Sequence, residues 1–451
     1  MTETTNPNFF QKHLKLVVSL AAAFVVVIAM VVYGFIIDSK HSFLYGENTT
    51  FFDKVKREFY WLTPHFEIPE HATWVGNLGF YDCSLLKSVN IPEGVTTIGA
   101  GAFAKCENME LITIPRSVKK FGGGAFEKCG GKLVVNCDIP TDYPKDEVFR
   151  DSYFTEVVVG DGVKLVGSKA FFDAVKLQKV TISDSVKQIG SRAFQGCNSL
   201  KSITIGRGLE LICPEAFAGC PGLTEVHIVD LAAWCEVELQ NETANPLHQP
   251  RAQIYSNGEP VTDLVIPDGT RYIRENTFYN CDHLTSVTIP GSVVSIGQST
   301  FEKCSNITSL TLNEGLGRIG TAAFKACRGL TTVKIPNTVY SIGYEAFCDC
   351  SKLTDVTLSS SLRSIGSWAF SHCWALPTIT IPSSVKEIDR EAFSYCSRLT
   401  TIYFKSSNPA IIDHIFENHA QELKIYVPRN AMRDYRNHYY WRHYTDLLVG
   451  Y

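Results

Sequence analysis

Fifteen cysteines are the first residues in this 451-residue chain whose type and spacing could do chemistry. A thiolate is a nucleophile and a soft metal ligand, and paired thiols form disulfides. Eleven of the cysteines share one position, three residues after a phenylalanine: Cys83, Cys106, Cys129, Cys197, Cys220, Cys281, Cys304, Cys327, Cys350, Cys373 and Cys396. Ser152, Ala174 and His419 fill that position elsewhere. A slot that also takes Ala and Ser asks for a small buried side chain, and a cysteine outside a disulfide behaves as a small hydrophobe. A reduced, buried column is therefore expected. A disulfide framework would have to link equivalent positions along successive units, and an odd total leaves one thiol over. Cys348 and Cys350 form a lone CxC, which is weak as a metal motif.

No GxSxG, HExxH, P-loop or GxGxxG stands in a credible context, and the 12 histidines are scattered, with His438 and His443 in an aromatic stretch near the carboxyl end. Asn48, Asn241 and Asn306 fit N-x-[ST], which matters only in a eukaryotic secretory host. No catalytic residue, cofactor or metal is assigned, and the chain is read as not an enzyme. The net charge of −4 and pI near 6.3 argue against nucleic acid as the main partner.

The cysteines are part of a larger repeat. Phe80, Phe103, Phe126, Phe149, Phe171, Phe194 and Phe217 form one run, and Phe278, Phe301, Phe324, Phe347, Phe370, Phe393 and Phe416 a second. Eleven of the thirteen steps are 23 residues, one is 22, and Phe217 to Phe278 is 61. A fixed period of this size predicts a solenoid, whose units bury their apolar faces only against one another. In the copy Leu284 to Cys304, alternation of Leu284, Val287 and Ile289 with Ser286 and Thr288 predicts a strand. Pro290-Gly291 turns the chain, Val293 and Ile296 begin a second buried segment, and Gly297 allows a bend after it. An apolar column runs five residues before each phenylalanine, from Val75 to Ile411, broken only at Pro144. Thr113, Thr181, Thr204, Thr288, Thr311, Thr357 and Thr380 predict an outward threonine ladder.

The pattern LxxVxIPxxVxxIGxxAFxxC resembles the BspA-like class of leucine-rich repeats over about residues 75–420. It carries Cys where the more familiar leucine-rich repeat carries Asn. The resemblance implies a mainly β solenoid of short stacked parallel strands. It also implies attachment and protein or glycan binding at a cell surface.

The remaining segments are placed around that array. Residues 1–15 read as a short cytoplasmic tail. Residues 16–37, from Leu16 to Ile37, are 22 residues without a charge and read as an uncleaved transmembrane signal anchor. Lys12 and Lys15 before it orient the repeats out of the cytoplasm, to the cell surface or a periplasm. Residues 38–74 read as a stalk and amino-terminal cap, 75–228 as the first run, 264–420 as the second, and 421–451 as a carboxyl-terminal cap with an aromatic helix. Within 229–263, Asp230 to Leu239 is helix-compatible, Asn245-Pro246 signals a turn, and Ser256-Asn257-Gly258 predicts a hairpin. This insertion reads either as a joint between two solenoid halves or as a ligand-binding bulge presenting Trp234, Asn257 and Glu259. The function expected is a non-enzymatic, membrane-anchored surface protein. The alternative is an envelope scaffold with no external ligand.

Overall fold

The computed structural model describes residues 64–140 and 148–451. The expected tail, the membrane anchor and most of the 38–74 stretch lie outside the described residues, as does Pro144. Among the described residues no helix is long and apolar enough to cross a membrane.

The chain winds into a β-solenoid with two ladders of parallel strands, one of longer strands and one of two-residue strands. In the copy around Phe301, the long strand Ser286–Ile289 turns at Pro290, where the Val293 amide donates to the Pro290 carbonyl, and leads into the short strand Ser295–Ile296. Successive coils stay in register at 23 residues, so Val180 lies beside Ile203, and Thr181 beside Thr204. The threonine ladder follows: Thr288 pairs with Thr311 on the outward side, while Val287 and Ile289 point into the core.

Inside, the phenylalanines form a stack. Ring centroids of Phe171, Phe194 and Phe217 are 5.2 and 5.3 Å apart and nearly parallel, and Phe278 to Phe301 repeats the spacing at 5.3 Å. That distance is the rise of one coil, set by the spacing of hydrogen-bonded strands. All fifteen cysteines are buried thiols. The column has a polar role as well. Cys304 Sγ donates to the Phe278 carbonyl at 3.1 Å, and Cys197, Cys220, Cys327 and Cys373 do the same to Phe171, Phe194, Phe301 and Phe347. A small thiol thus fills a tight slot and gives a second donor to a buried carbonyl that also accepts the amide three residues on, as the Phe171 carbonyl does from Ala174 at 3.1 Å.

The segment carrying each phenylalanine other than Phe149 holds two left-handed residues, such as Ser299 (φ 52°) and Lys303 (φ 64°). This backbone disfavours L side chains. It is held by hydrogen bonds to the next coil, from the amides of Ser299, Phe301 and Lys303 to the carbonyls of Thr321, Ala323 and Lys325, each at 2.8 Å. Gly297 is explained by proximity instead of bending. A Cβ there would sit 2.7 Å from the Arg274 carbonyl carbon, so the side chain is absent because the coils touch.

Two units depart from the expected pattern. In the unit after Pro140 the long strand Tyr153–Val159 carries the buried Phe154, packed against both Phe126 and Phe149, and a bulge between Gly131 and Lys132 adjusts the register. In the last coil the apolar column passes through Ile412, not Ile411. Glu387 pairs with Ile411 and Ile388 with Ile412, so Ile412 is 1 % exposed and Ile411 49 %. The reason is one extra residue: the step is 24, taken up before the short strand, so counting back from Phe416 points to the wrong isoleucine.

Both ladders stop within the insertion. The first ten-stranded sheet ends in the antiparallel hairpin of Gln253–Ser256 and Glu259–Pro260, and long strands resume at Asp263–Val265. A five-residue helix, Leu231–Cys235, opens the insertion, capped by Asp230, whose side chain accepts from the Ala233 amide at 3.0 Å. Side chains replace the missing ladder. Asn245 Nδ2 donates to the Asn276 carbonyl at 2.7 Å, and Gln249 Nε2 donates to the Phe217 carbonyl at 2.9 Å, the task a cysteine performs elsewhere. At the far end, strand Lys424–Val427 pairs with Leu448–Gly450, and the buried Tyr435 and Trp441 donate to the Ser406 and Ala410 carbonyls.

Candidate functional site at the end of the first sheet

The outward face of the long strands changes chemistry as it approaches the hairpin. Strand alternation sends Ile203, Ile205, Val226 and Ile254 inward and leaves Ser202, Thr204, Glu225, His227 and Tyr255 on the other side. Register places Thr204, His227 and Tyr255 in one row, so the threonine ladder gives way to an imidazole and then a phenol. The His227 and Tyr255 rings lie 4.8 Å apart, and Glu225 Oε2 is 3.3 Å from His227 Nε2.

The hairpin bounds this face. Asn257 (φ 52°) and Gly258 (φ 85°) are both left-handed, as a two-residue turn matched to strand twist requires. Together with Lys179 and the row just described, they border an open cavity of about 550 Å³. It offers a cation, a carboxylate paired with an imidazole, three hydroxyls and a half-buried phenol ring. Such a set can orient a ligand by hydrogen bonds and stacking.

The insertion residues singled out in the sequence do not converge. Asn257 borders the cavity, while Glu259 lies exposed on the returning strand of the hairpin. Trp234 is 2 % exposed, and its indole Nε1 donates to the Thr277 carbonyl at 3.3 Å, across the joint. It offers no surface to a partner. Lys179, Glu225, His227 and Tyr255 were not legible as a site, because threonine also gives way elsewhere in the row, at Val134 and Val158.

The thiols are poorly suited to chemistry. Burial pushes Cys106, Cys220 and Cys396 up to about 12 and Cys348 up to about 11, so all stay protonated at neutral pH. Among the described residues, no three His, Cys, Asp or Glu side chains gather where they could hold a metal ion.

Comparison with known proteins gives the family. A model described as the BspA type leucine rich repeat region matches, in six copies, residues 58–141, 142–233, 251–335 and 317–443. No curated protein matches the sequence. Among solved structures, a leucine-rich repeat protein from Bacteroides ovatus is 24% identical, with 86% of this chain and 83% of that one covered and a TM-score of 0.42. A leucine rich cell surface protein from Faecalibacterium prausnitzii is also 24% identical, covering 82% and 85%, with a TM-score of 0.30. The pneumococcal vaccine antigen PcpA is 16% identical, covering 86% and 87%, with a TM-score of 0.34. With its repeat matched along most of its length and its coils stacked as that repeat requires, the chain belongs to the BspA-type leucine-rich repeat family.

Proposed function

We propose that this chain is a non-enzymatic, membrane-anchored binding protein that takes a protein or glycan partner on the outward face of its first sheet, beside the 257–258 hairpin. The observation that carries the binding reading is the cavity of about 550 Å³ where His227 and Tyr255 follow Thr181 and Thr204 in one outward row, with Glu225 beside the imidazole. The uncharged run from Leu16 to Ile37 supports the anchor, with the repeats extracytoplasmic and a role in adhesion. Membership of the BspA-type repeat family supports the same placement.

Two measurements test it. Protease shaving of intact cells should remove the repeat region; full protection that is lost on permeabilising the envelope would favour an internal scaffold. A panel of matrix proteins and envelope glycans should then yield a ligand whose affinity falls at least about tenfold in His227→Ala and Tyr255→Ala, as for hot-spot contacts. A panel with no binder, or binders indifferent to both substitutions, would sink the reading.

A further inference from the structure

The short-strand ladder has its own break. Leu211 and Ile212 pair with Glu238 and Leu239, and the next pairing, Tyr272 with Ser295 and Ile273 with Ile296, belongs to a separate group of strands. The chain uses the intervening turn for the hairpin and supplies no short strand there. In paired coils, amides reach back one coil: Lys187 to the Lys164 carbonyl at 2.9 Å, Gly190 to Val166 at 2.8 Å and Gly297 to Ile273 at 2.8 Å. Arg274 occupies the place of Gly297 in its own coil, and its amide turns instead to the Cys235 carbonyl at 2.9 Å. The backbone edges of Glu238–Leu239 and Tyr272–Ile273 therefore border a cleft of about 660 Å³ without pairing to each other.

The cleft has the character of a missing strand. Leu239 and Ile273 are buried in the core, so an occupant need supply only a backbone and outward side chains. The two strand edges are two residues each, so a guest pairs with them over a short extended stretch. Glu238, Glu275 and Arg274 border the cleft exposed, two carboxylates against one guanidinium, which favours a basic guest.

We propose that this cleft binds an extended peptide segment of a partner protein, which adds a strand to the open edges and sets a lysine or arginine against Glu238 and Glu275. This mode is β-strand addition, in which backbone bonds supply affinity and flanking side chains supply choice. The cleft lies on the opposite ladder from the hairpin face, so peptide capture there stands or falls independently of ligand binding beside the hairpin.

The test is selection of a random heptapeptide library displayed on phage against the full chain. Enriched peptides should carry Lys or Arg, weaken about tenfold against the E238K/E275K double variant and lose binding when alternate backbone nitrogens are methylated. Hydrogen exchange should slow at Leu239, Tyr272 and their neighbours when such a peptide binds. Selection of peptides that tolerate N-methylation, that bind the double variant equally well, or that protect the 257–258 hairpin instead would overturn the proposal. So would a library that yields no binder. Both substitutions are at exposed positions, and an unchanged melting curve for the double variant separates lost binding from lost folding.

Discussion

The side-chain amide of Asn245 donates to the carbonyl oxygen of Asn276 at 2.7 Å, across the place where, among the described residues, both strand ladders stop together. The same nitrogen lies 3.3 Å from the Thr277 carbonyl, and Asn245 Oδ1 accepts from the Leu247 amide at 2.9 Å. This fully buried side chain shares with the Trp234 indole and the Arg274 amide the linking that a row of backbone bonds does between ordinary coils.

Asn245→Leu should therefore do more than lower stability. It leaves the Leu247 amide without its acceptor and takes one donor each from the Asn276 and Thr277 carbonyls, which keep the Tyr279 amide and the Trp234 indole, at a cost of roughly 1–3 kcal/mol. In a solenoid, stability is a sum of unit terms and nearest-neighbour interfaces. Weakening one interface selectively should split a single urea transition into two, as the halves before and after the joint unfold separately. A single transition shifted to lower urea would show that the joint is not the weak link.

The joint should also be acid-sensitive. His283 Nε2 accepts from the Ile254 amide at 3.2 Å, and burial holds the imidazole down at about 4, partly offset by Asp282. The unfolded chain, with an ordinary histidine near 6.5, binds more protons between those values. The contribution of the neutral ring is complete above about pH 6.5 and is lost as pH falls toward 4. Melting temperature should drop across that window, and His283→Gln, which keeps an acceptor and cannot titrate, should flatten the slope. An equal slope in both proteins would place the acid sensitivity elsewhere.

The cysteine column predicts a thiol count. Unfolded in denaturant without reductant, the protein should titrate with fifteen thiols, and folded it should react slowly, since burial holds the thiols protonated. Cys304→Ala should cost about 1 kcal/mol, because it leaves the Phe278 carbonyl only the longer 3.4 Å bond from the Cys281 amide. A substantially lower count in denaturant would mean disulfides and would overturn the column.

The shifted register in the last coil is tested by two neighbouring substitutions. Ile412→Ala should destabilise by about 2–4 kcal/mol, as for a filled core site, and Ile411→Ala by under about 0.5 kcal/mol, as for an exposed one. Chemical denaturation of both variants decides it. The reverse order would restore the column drawn from the sequence alone.

Much of the architecture was legible from residues. The 23-residue period, the Ile–Phe–Cys columns and the outward threonines specify stacked coils, because one unit cannot bury its own apolar face and like residues must lie over like. The hairpin was legible from Asn257-Gly258, which demands left-handed backbone at both positions. Other features depend on which coil faces which. Ile412 enters the column through one extra residue upstream, Gln249 takes over the duty of an absent cysteine, and Asn245 helps replace a missing row of backbone bonds. Glu225 and His227 share a strand, but Tyr255 reaches their face only because the hairpin strand pairs with that strand in register. The cleft between Leu239 and Tyr272 has no sequence mark at all, since it is made by the absence of a strand between two ordinary ones. The repeat is local and periodic, so the sequence determined it. What happens where the period fails is set by contacts between residues far apart in the chain, and only the tertiary structure decided it.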